Sequence, residues 1–301
     1  MMRPVLLFLL AALMLMPGAV AAQAPARPFT SERIMVTVQG PAPGQAQGPD
    51  IILIPGLAST SEVWRATAAR LDDRYRVHLV SIRGFGNILA GANGGGEVAG
   101  PTASEIRRYI AENHLERPAL IGHSMGGLIA LRVAADGRNQ IGRVMVVDSA
   151  PFFPALISEG ATVGDVEPLA QIAYQALMFL GDGALKSQGS MLGNQLGGAA
   201  DSLFNSVGWQ GGDRATLAQS LYEVMTTDLR ASLPAITAPV TVVYGWSRDD
   251  ASPRAQIESL FRASYRNLRT PPRYEPIEGA EHMVMIDQPD RFMAAVNRFL
   301  Q

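Results

Sequence analysis

Short, continuously apolar runs separated by helix-like stretches constrain this chain more than any other feature. The runs are IILIPG (Ile51–Gly56), YRVHLVSI (Tyr75–Ile82), PALIG (Pro118–Gly122), RVMVVD (Arg143–Asp148) and PVTVVYG (Pro239–Gly245). A strand with one solvated face alternates apolar with polar residues, whereas one covered on both faces does not need to. Between the runs lie segments of helical period. SEVWRATAARLDDR (Ser61–Arg74) has Val63, Trp64, Ala68 and Leu71 on one face. TASEIRRYIAENH (Thr102–His114) opens with the capping-box pair Thr102 and Glu105. Met125–Asp136 forms a third segment. Strands alternating with helices predict a parallel sheet covered on both faces. RIMVTV (Arg33–Val38) alternates and reads as an edge strand. After Asp148 the beat stops, and it resumes at Pro239 with a helix from about Pro253 to Tyr265, a strand near Arg273–Ile277 and a last helix, Pro289–Phe299. The expected organisation is therefore a core of residues 23–150 and 239–301, with a helical insertion at 151–238.

The first residues read differently. Arg3 precedes an unbroken apolar run, Val5–Met16, which Pro17-Gly18 breaks, and AVAAQA follows with small residues at cleavage spacing. The run is too short to span a bilayer comfortably. Residues 1–22 are expected to be a signal peptide, leaving a periplasmic or secreted protein with no stable membrane anchor.

Composition closes several routes. There is no cysteine, so thiol nucleophiles, disulfides and cysteine-ligated metals are out. The net charge of −2 makes no electrostatic case for a nucleic-acid partner. Neither a phosphate-binding loop nor a glycine-rich dinucleotide fingerprint follows a strand. No cofactor and no metal is expected.

LIGHSMGG (Leu120–Gly127) carries the chemistry. Ser124 stands between a strand and a helix in the pattern G-x-S-x-G, where glycines permit a strained turn that lifts a serine hydroxyl above the sheet edge. A serine needs a base, a group that orients the base, and donors for the oxyanion. Four histidines are available. His78 lies inside a strand, His114 ends a helix, and His123 must point away from a turn this tight. His282, in the loop EGAEHMVMIDQPDRF before the last helix, is the expected base. For the orienting acid three residues stay open: Asp249 and Asp250 in GWSRDDASP, and Asp148 at the end of its strand. Asp249 leads on chain order, serine then acid then histidine. The oxyanion donors are expected to be the amides of Met125 and of Leu57 in IPGLAS.

These motifs resemble the α/β-hydrolase superfamily. IPGLASTSEVW resembles the loop written H-G-x-x-x-x-x-x-x-W, with Pro55 in place of histidine. SIRGFG resembles D-x-R-G-x-G with Ser81 in place of aspartate, GHSMGG resembles the nucleophile elbow, and GAEHMVMIDQPDRF resembles the histidine loop and final helix. The resemblance implies an α/β-hydrolase fold, a mostly parallel sheet with helices on both faces, and a lid insertion after the sixth strand of the family. Its usual acid position falls on Arg248 here, and in some members the acid follows the sixth strand instead, which keeps Asp148 open beside Asp249. Branches with an aspartate nucleophile are excluded by Ser124. The expected function is hydrolysis of a small-molecule carboxylic ester through an acyl-enzyme. The alternatives are lactone, amide or carbon–carbon cleavage on the same residues, or a ligand-binding homologue without turnover. The insertion is also expected to contribute an apolar wall, because LAQIAYQALMFLG (Leu169–Gly181) is apolar on more than one face.

Overall fold

The computed structural model describes residues 28–137, 139–195, 210–248 and 253–301. The proposed signal peptide, Asp249 and Asp250, and the end of the glycine-rich stretch beyond 195 lie outside these residues. The strands are β1 (Ile34–Gln39), β2 (Ile51–Ile54), β3 (Val77–Ile82), β4 (Ala119–His123), β5 (Arg143–Val147), β6 (Val240–Trp246) and β7 (Arg273–Glu278). The helices are α1 (Arg65–Ala68), α2 (Ala99–Glu112), α3 (Met125–Asp136), α4 (Val163–Gln195), α5 (Arg214–Thr226), α6 (Arg254–Ser264), α7 (Val284–Asp287) and α8 (Pro289–Leu300).

One seven-stranded sheet runs in the order β1-β3-β2-β4-β5-β6-β7. The pairing of β1 with β3 is antiparallel and all the others are parallel. Successive side chains of a strand point to opposite faces, and the core divides accordingly. Ile52, Ile54, Leu120, Val144, Val146 and Val242 join the cluster under α2, α3 and α6. Ile51, Leu53, Ile121, Met145, Val147 and Val243 join the cluster under Trp64 and α8. The continuous apolar runs are thus strands buried on both faces. The insertion leaves the core between β5 and β6, the fifth and sixth of seven strands here.

Two helices differ from expectation. Ser61–Arg74 is not one helix: a 3-10 turn, Ser61–Trp64, leads into the single turn α1 and then into loops. Its N-cap is Thr60, whose hydroxyl accepts the Glu62 amide hydrogen. The helix expected at Thr102 begins at Ala99 instead, and Thr102 is buried inside it. Its cap comes from far away in sequence. The Glu223 carboxylate, on α5, accepts from the amides of Val98 at 2.8 Å and Ala99 at 2.6 Å. A carboxylate satisfies the orphan donors of a helix start and complements its positive dipole end.

In the insertion, α4 packs along α5. Ala170, Ala173 and Leu177 are buried, and Tyr174 meets Tyr222 edge to face at 6.4 Å. Ile172 and Phe179 lie on the other side, with Phe179 81% exposed. Phe179 therefore faces solvent and is not part of a wall over the serine. Among the described residues, no helix is long and apolar enough to cross a membrane.

Candidate active site

Parallel strands bring their carboxyl ends to one edge of the sheet, and the registers are tight. Ile54 of β2 pairs with Gly122 of β4, His123 of β4 with Val147 of β5, and Val147 with Val243 of β6. The residues that follow β4 and β5, Ser124 and Asp148, therefore emerge side by side.

Ser124 has φ 51° and ψ −124°, a left-handed conformation that is strained for a residue with a Cβ. The neighbouring backbone holds it there. Its amide donates to the Val147 carbonyl at 2.9 Å, and its own carbonyl accepts from the Gly127 amide and the Ser149 hydroxyl, each at 2.8 Å. The glycines are needed for close approach: a Cβ on Gly126 would sit 2.3 Å from the Ile54 carbonyl oxygen, and one on Gly122 would sit 2.1 Å from that of Gly126. This contact seats the elbow against the end of β2 and brings the Leu57 loop beside the start of α3. Met125 is the first helical residue, so its amide belongs to the turn without intrahelical partners. Leu57 and Met125 are both buried.

His282 sits in the loop between β7 and α7. Its Nδ1 lies 2.6 Å from Oδ2 of Asp148. A carboxylate can only accept, so Nδ1 carries the proton and Nε2 is left bare. That Nε2 is buried and has no hydrogen-bond partner among the described residues. Asp148 is itself strained, with φ 46°, and its amide donates to the Val243 carbonyl at 2.8 Å. The nitrogen an orienting acid must hold is therefore occupied by Asp148. Asp249, which led on chain order, and Asp250 lie outside the described residues.

Several supporting residues escaped the sequence reading. His123 does point away from the solvent edge, as expected, but it turns toward the histidine loop. Its Nε2–H donates to the His282 carbonyl at 2.9 Å, and the two rings stand 4.6 Å apart. Complete burial, together with the neighbouring His282, holds the His123 pKa well below the usual histidine value, so the ring stays neutral. The Asp287 carboxylate accepts from the Glu281 amide at 2.9 Å and so fixes the start of the same loop. Burial raises the Asp287 pKa above the ordinary carboxylate value. Tyr265 donates its buried hydroxyl to the Ser149 carbonyl at 2.7 Å, supporting the backbone just after Asp148. The His123 and Tyr265 contacts have no local signal, since they join residues 159 and 116 positions apart.

His78, in β3, is buried, with its ring nitrogens 2.7 Å from the Tyr109 hydroxyl and 3.0 Å from Asp50. Ser81, standing where the family motif has aspartate, accepts the Ser61 amide hydrogen at 3.1 Å and so steadies the turn after the Leu57 loop. Among the described residues, no cluster of three histidines and carboxylates could hold a metal ion.

Comparison with known proteins bears on the family and the fold. The model of the alpha/beta hydrolase family matches residues 51–295. The chain is 29% identical to the pimeloyl-[acyl-carrier protein] methyl ester esterase of Aeromonas hydrophila subsp. hydrophila, over 84% of this chain and 96% of that protein. It is 27% identical to the protein of the same name from Photorhabdus laumondii subsp. laumondii, covering 83% and 91%. Among solved structures, MenH from S. aureus superposes with a TM-score of 0.67 at 15% identity, covering 89% of this chain and 97% of that one. The enol-lactonase from Burkholderia xenovorans LB400 superposes with a TM-score of 0.59 at 22% identity, covering 89% and 96%. At such identities the structural likenesses establish the fold. A model match across most of the chain, a matching fold and the strained serine at the strand–helix turn lead to one assignment: the chain belongs to the alpha/beta hydrolase family.

Proposed function

We propose that this protein is a serine hydrolase of carboxylic esters, with Ser124 as nucleophile, His282 as base and Asp148, rather than Asp249, as the acid that orients it. The observation that carries the reading is the His282–Asp148 contact of 2.6 Å, which leaves the buried Nε2 of His282 without a partner among the described residues. In the proposed cycle, Nε2 takes the Ser124 proton as Oγ attacks the acyl carbon. The Leu57 and Met125 amides stabilise the oxyanion. The imidazolium, paired with Asp148, then protonates the departing alcohol. Water, deprotonated by the same nitrogen, attacks the acyl-enzyme and releases the acid and Ser124. The names of the curated relatives make methyl esters of carboxylic acids the first substrates to test.

The test is hydrolysis of methyl and p-nitrophenyl esters of graded acyl length, with a lactone and an anilide alongside. Ser124→Ala and His282→Ala should each lose roughly 10⁴-fold in turnover, since members of such a triad act as a unit. Retention of activity within about tenfold in either variant refutes the assignment. Absence of even a single-turnover burst in the native protein would favour a ligand-binding role. We also propose export, on the strength of the Val5–Met16 run and the small residues that follow. A mature N-terminus near Ala22 in the periplasm or medium supports it, and an intact Met1 in the cytosol refutes it.

A further inference from the structure

We infer that Gln210 is a positioning residue for the oxyanion loop, so that the segment of the insertion just before α5 also braces the site. The inference rests on the proposed role of the Leu57 amide.

The loop after β2 holds a strained residue. Ala58, the residue after Leu57, has φ 56°, a left-handed conformation unfavourable for alanine. Such a residue persists only where its surroundings over-determine it. Within the loop the Ser59 amide reaches the Gly56 carbonyl at 3.3 Å, a long bond. The firmer contacts come from a residue 150 positions away. The Gln210 amide donates to the Ala58 carbonyl at 2.9 Å. The Gln210 side-chain oxygen accepts from the Thr60 hydroxyl at 2.8 Å and from the Thr60 amide at 3.2 Å. Gln210 therefore grips the loop on both sides of Ser59, at the residue that follows the expected oxyanion donor and again two residues further on.

Gln210 is itself anchored. The next residues are stitched to the loop after β3: Gly86 donates its amide to the Gly211 carbonyl at 2.9 Å, and Asp213 donates to the Gly84 carbonyl at 2.7 Å. Thr216, at the start of α5, donates its hydroxyl to the Asn93 carbonyl at 3.0 Å. A displacement of the start of α5 thus reaches the Leu57 loop through one residue and three hydrogen bonds. Donors to an oxyanion act through sub-ångström placement, which makes that loop sensitive to a lost brace.

The test compares Gln210→Ala with Gln210→Glu. Both Thr60 groups donate, so a glutamate oxygen can replace the amide oxygen, whereas alanine removes the acceptor and leaves the backbone bond. Each variant is assayed for kcat and KM on p-nitrophenyl butyrate and for the Ki of an aliphatic trifluoromethyl ketone, whose serine adduct carries the oxyanion. Gln210→Ala is expected to lower kcat about tenfold, leave KM within about twofold, and weaken the ketone by the same factor as kcat. Gln210→Glu should stay within about twofold of the native protein in all three. A Gln210→Ala variant with native kcat and Ki overturns the inference. So does a loss of kcat with unchanged ketone affinity, or a Gln210→Glu variant as impaired as Gln210→Ala. If the native protein shows no Ser124-dependent hydrolysis, the functional reading has failed and the inference falls with it. Ser124-dependent turnover indifferent to Gln210 means that only the inference has failed. Because the Gln210 side chain lies at the surface, a change in unfolding temperature of more than a few degrees in Gln210→Ala also counts against a purely positioning role.

Discussion

Replacing Asp148 by asparagine isolates the charge of the proposed acid from everything else that residue does. The position has φ 46°, which penalises alanine and most other residues but which asparagine tolerates well. Asparagine is also nearly isosteric, so the amide bond to the Val243 carbonyl and the turn into Ser149 should survive. What changes is the partner of His282 Nδ1, now 2.6 Å from a carboxylate oxygen. When His282 takes the serine proton, two opposite unit charges centred roughly 4 Å apart face each other in a partly buried site, worth about 4 kcal/mol at an effective dielectric near 20. Losing that raises the barrier enough for a drop of roughly 10³ in kcat. An asparagine that turns its NH₂ toward Nδ1 also selects the wrong tautomer, extending the expected loss toward 10⁴. The assay is steady-state hydrolysis of p-nitrophenyl butyrate, with thermal unfolding to confirm a native fold and Asp249→Asn as the parallel variant. Asp148→Asn should fall by 10³ to 10⁴ in kcat, with Asp249→Asn close to the native protein. If Asp249→Asn takes the large loss and Asp148→Asn stays within about tenfold, the 2.6 Å contact is not the catalytic one and the assignment is refuted.

Three further outcomes are expected. Glu223→Ala strips the α2 start of its carboxylate and leaves two buried amides unpaired, so unfolding free energy should fall by about 1–3 kcal/mol in chemical denaturation; an unchanged midpoint would dismiss the cap. Burial raises the Tyr109 and Tyr244 hydroxyls from 10.0 to about 12, so their contribution to stability is complete below pH 10 and is lost as pH rises through 12; a urea midpoint flat across that window contradicts this. Phe179→Ala removes a side chain that is 81% exposed, so it should leave stability within about 0.5 kcal/mol and the acyl-length profile unaltered; a shifted profile would return Phe179 to the substrate site.

How far the sequence could be read depends on the range of the interaction involved. The sheet was legible because burial on both faces acts residue by residue and leaves continuous apolar runs such as IILIPG. The elbow was legible because its requirement is local: a strained turn at Ser124 needs glycines two residues to either side, and those glycines are in the chain. His282 could be singled out from its place after the last strand. Its carboxylate partner could not. Asp148 and Asp249 follow neighbouring strands, β5 and β6, and nothing nearby in sequence says which carboxylate meets the imidazole. The register sets Ser124 beside Asp148, and the loop after β7 brings His282 Nδ1 within 2.6 Å of that carboxylate, which is the ground for proposing Asp148. The start of α2 shows the same limit. Thr102 and Glu105 match a local capping pattern, yet Glu223 from the insertion supplies the cap three residues earlier. The bonds from His123 to the His282 carbonyl and from Gln210 to Ala58 and Thr60 join residues about 150 positions apart. Local propensity and periodicity therefore specified the strands and the turn that holds Ser124, because those depend on near neighbours. The partner of the histidine and the bracing of the Leu57 loop were decided only when the folded chain brought distant carboxylates, carbonyls and amides within hydrogen-bonding reach.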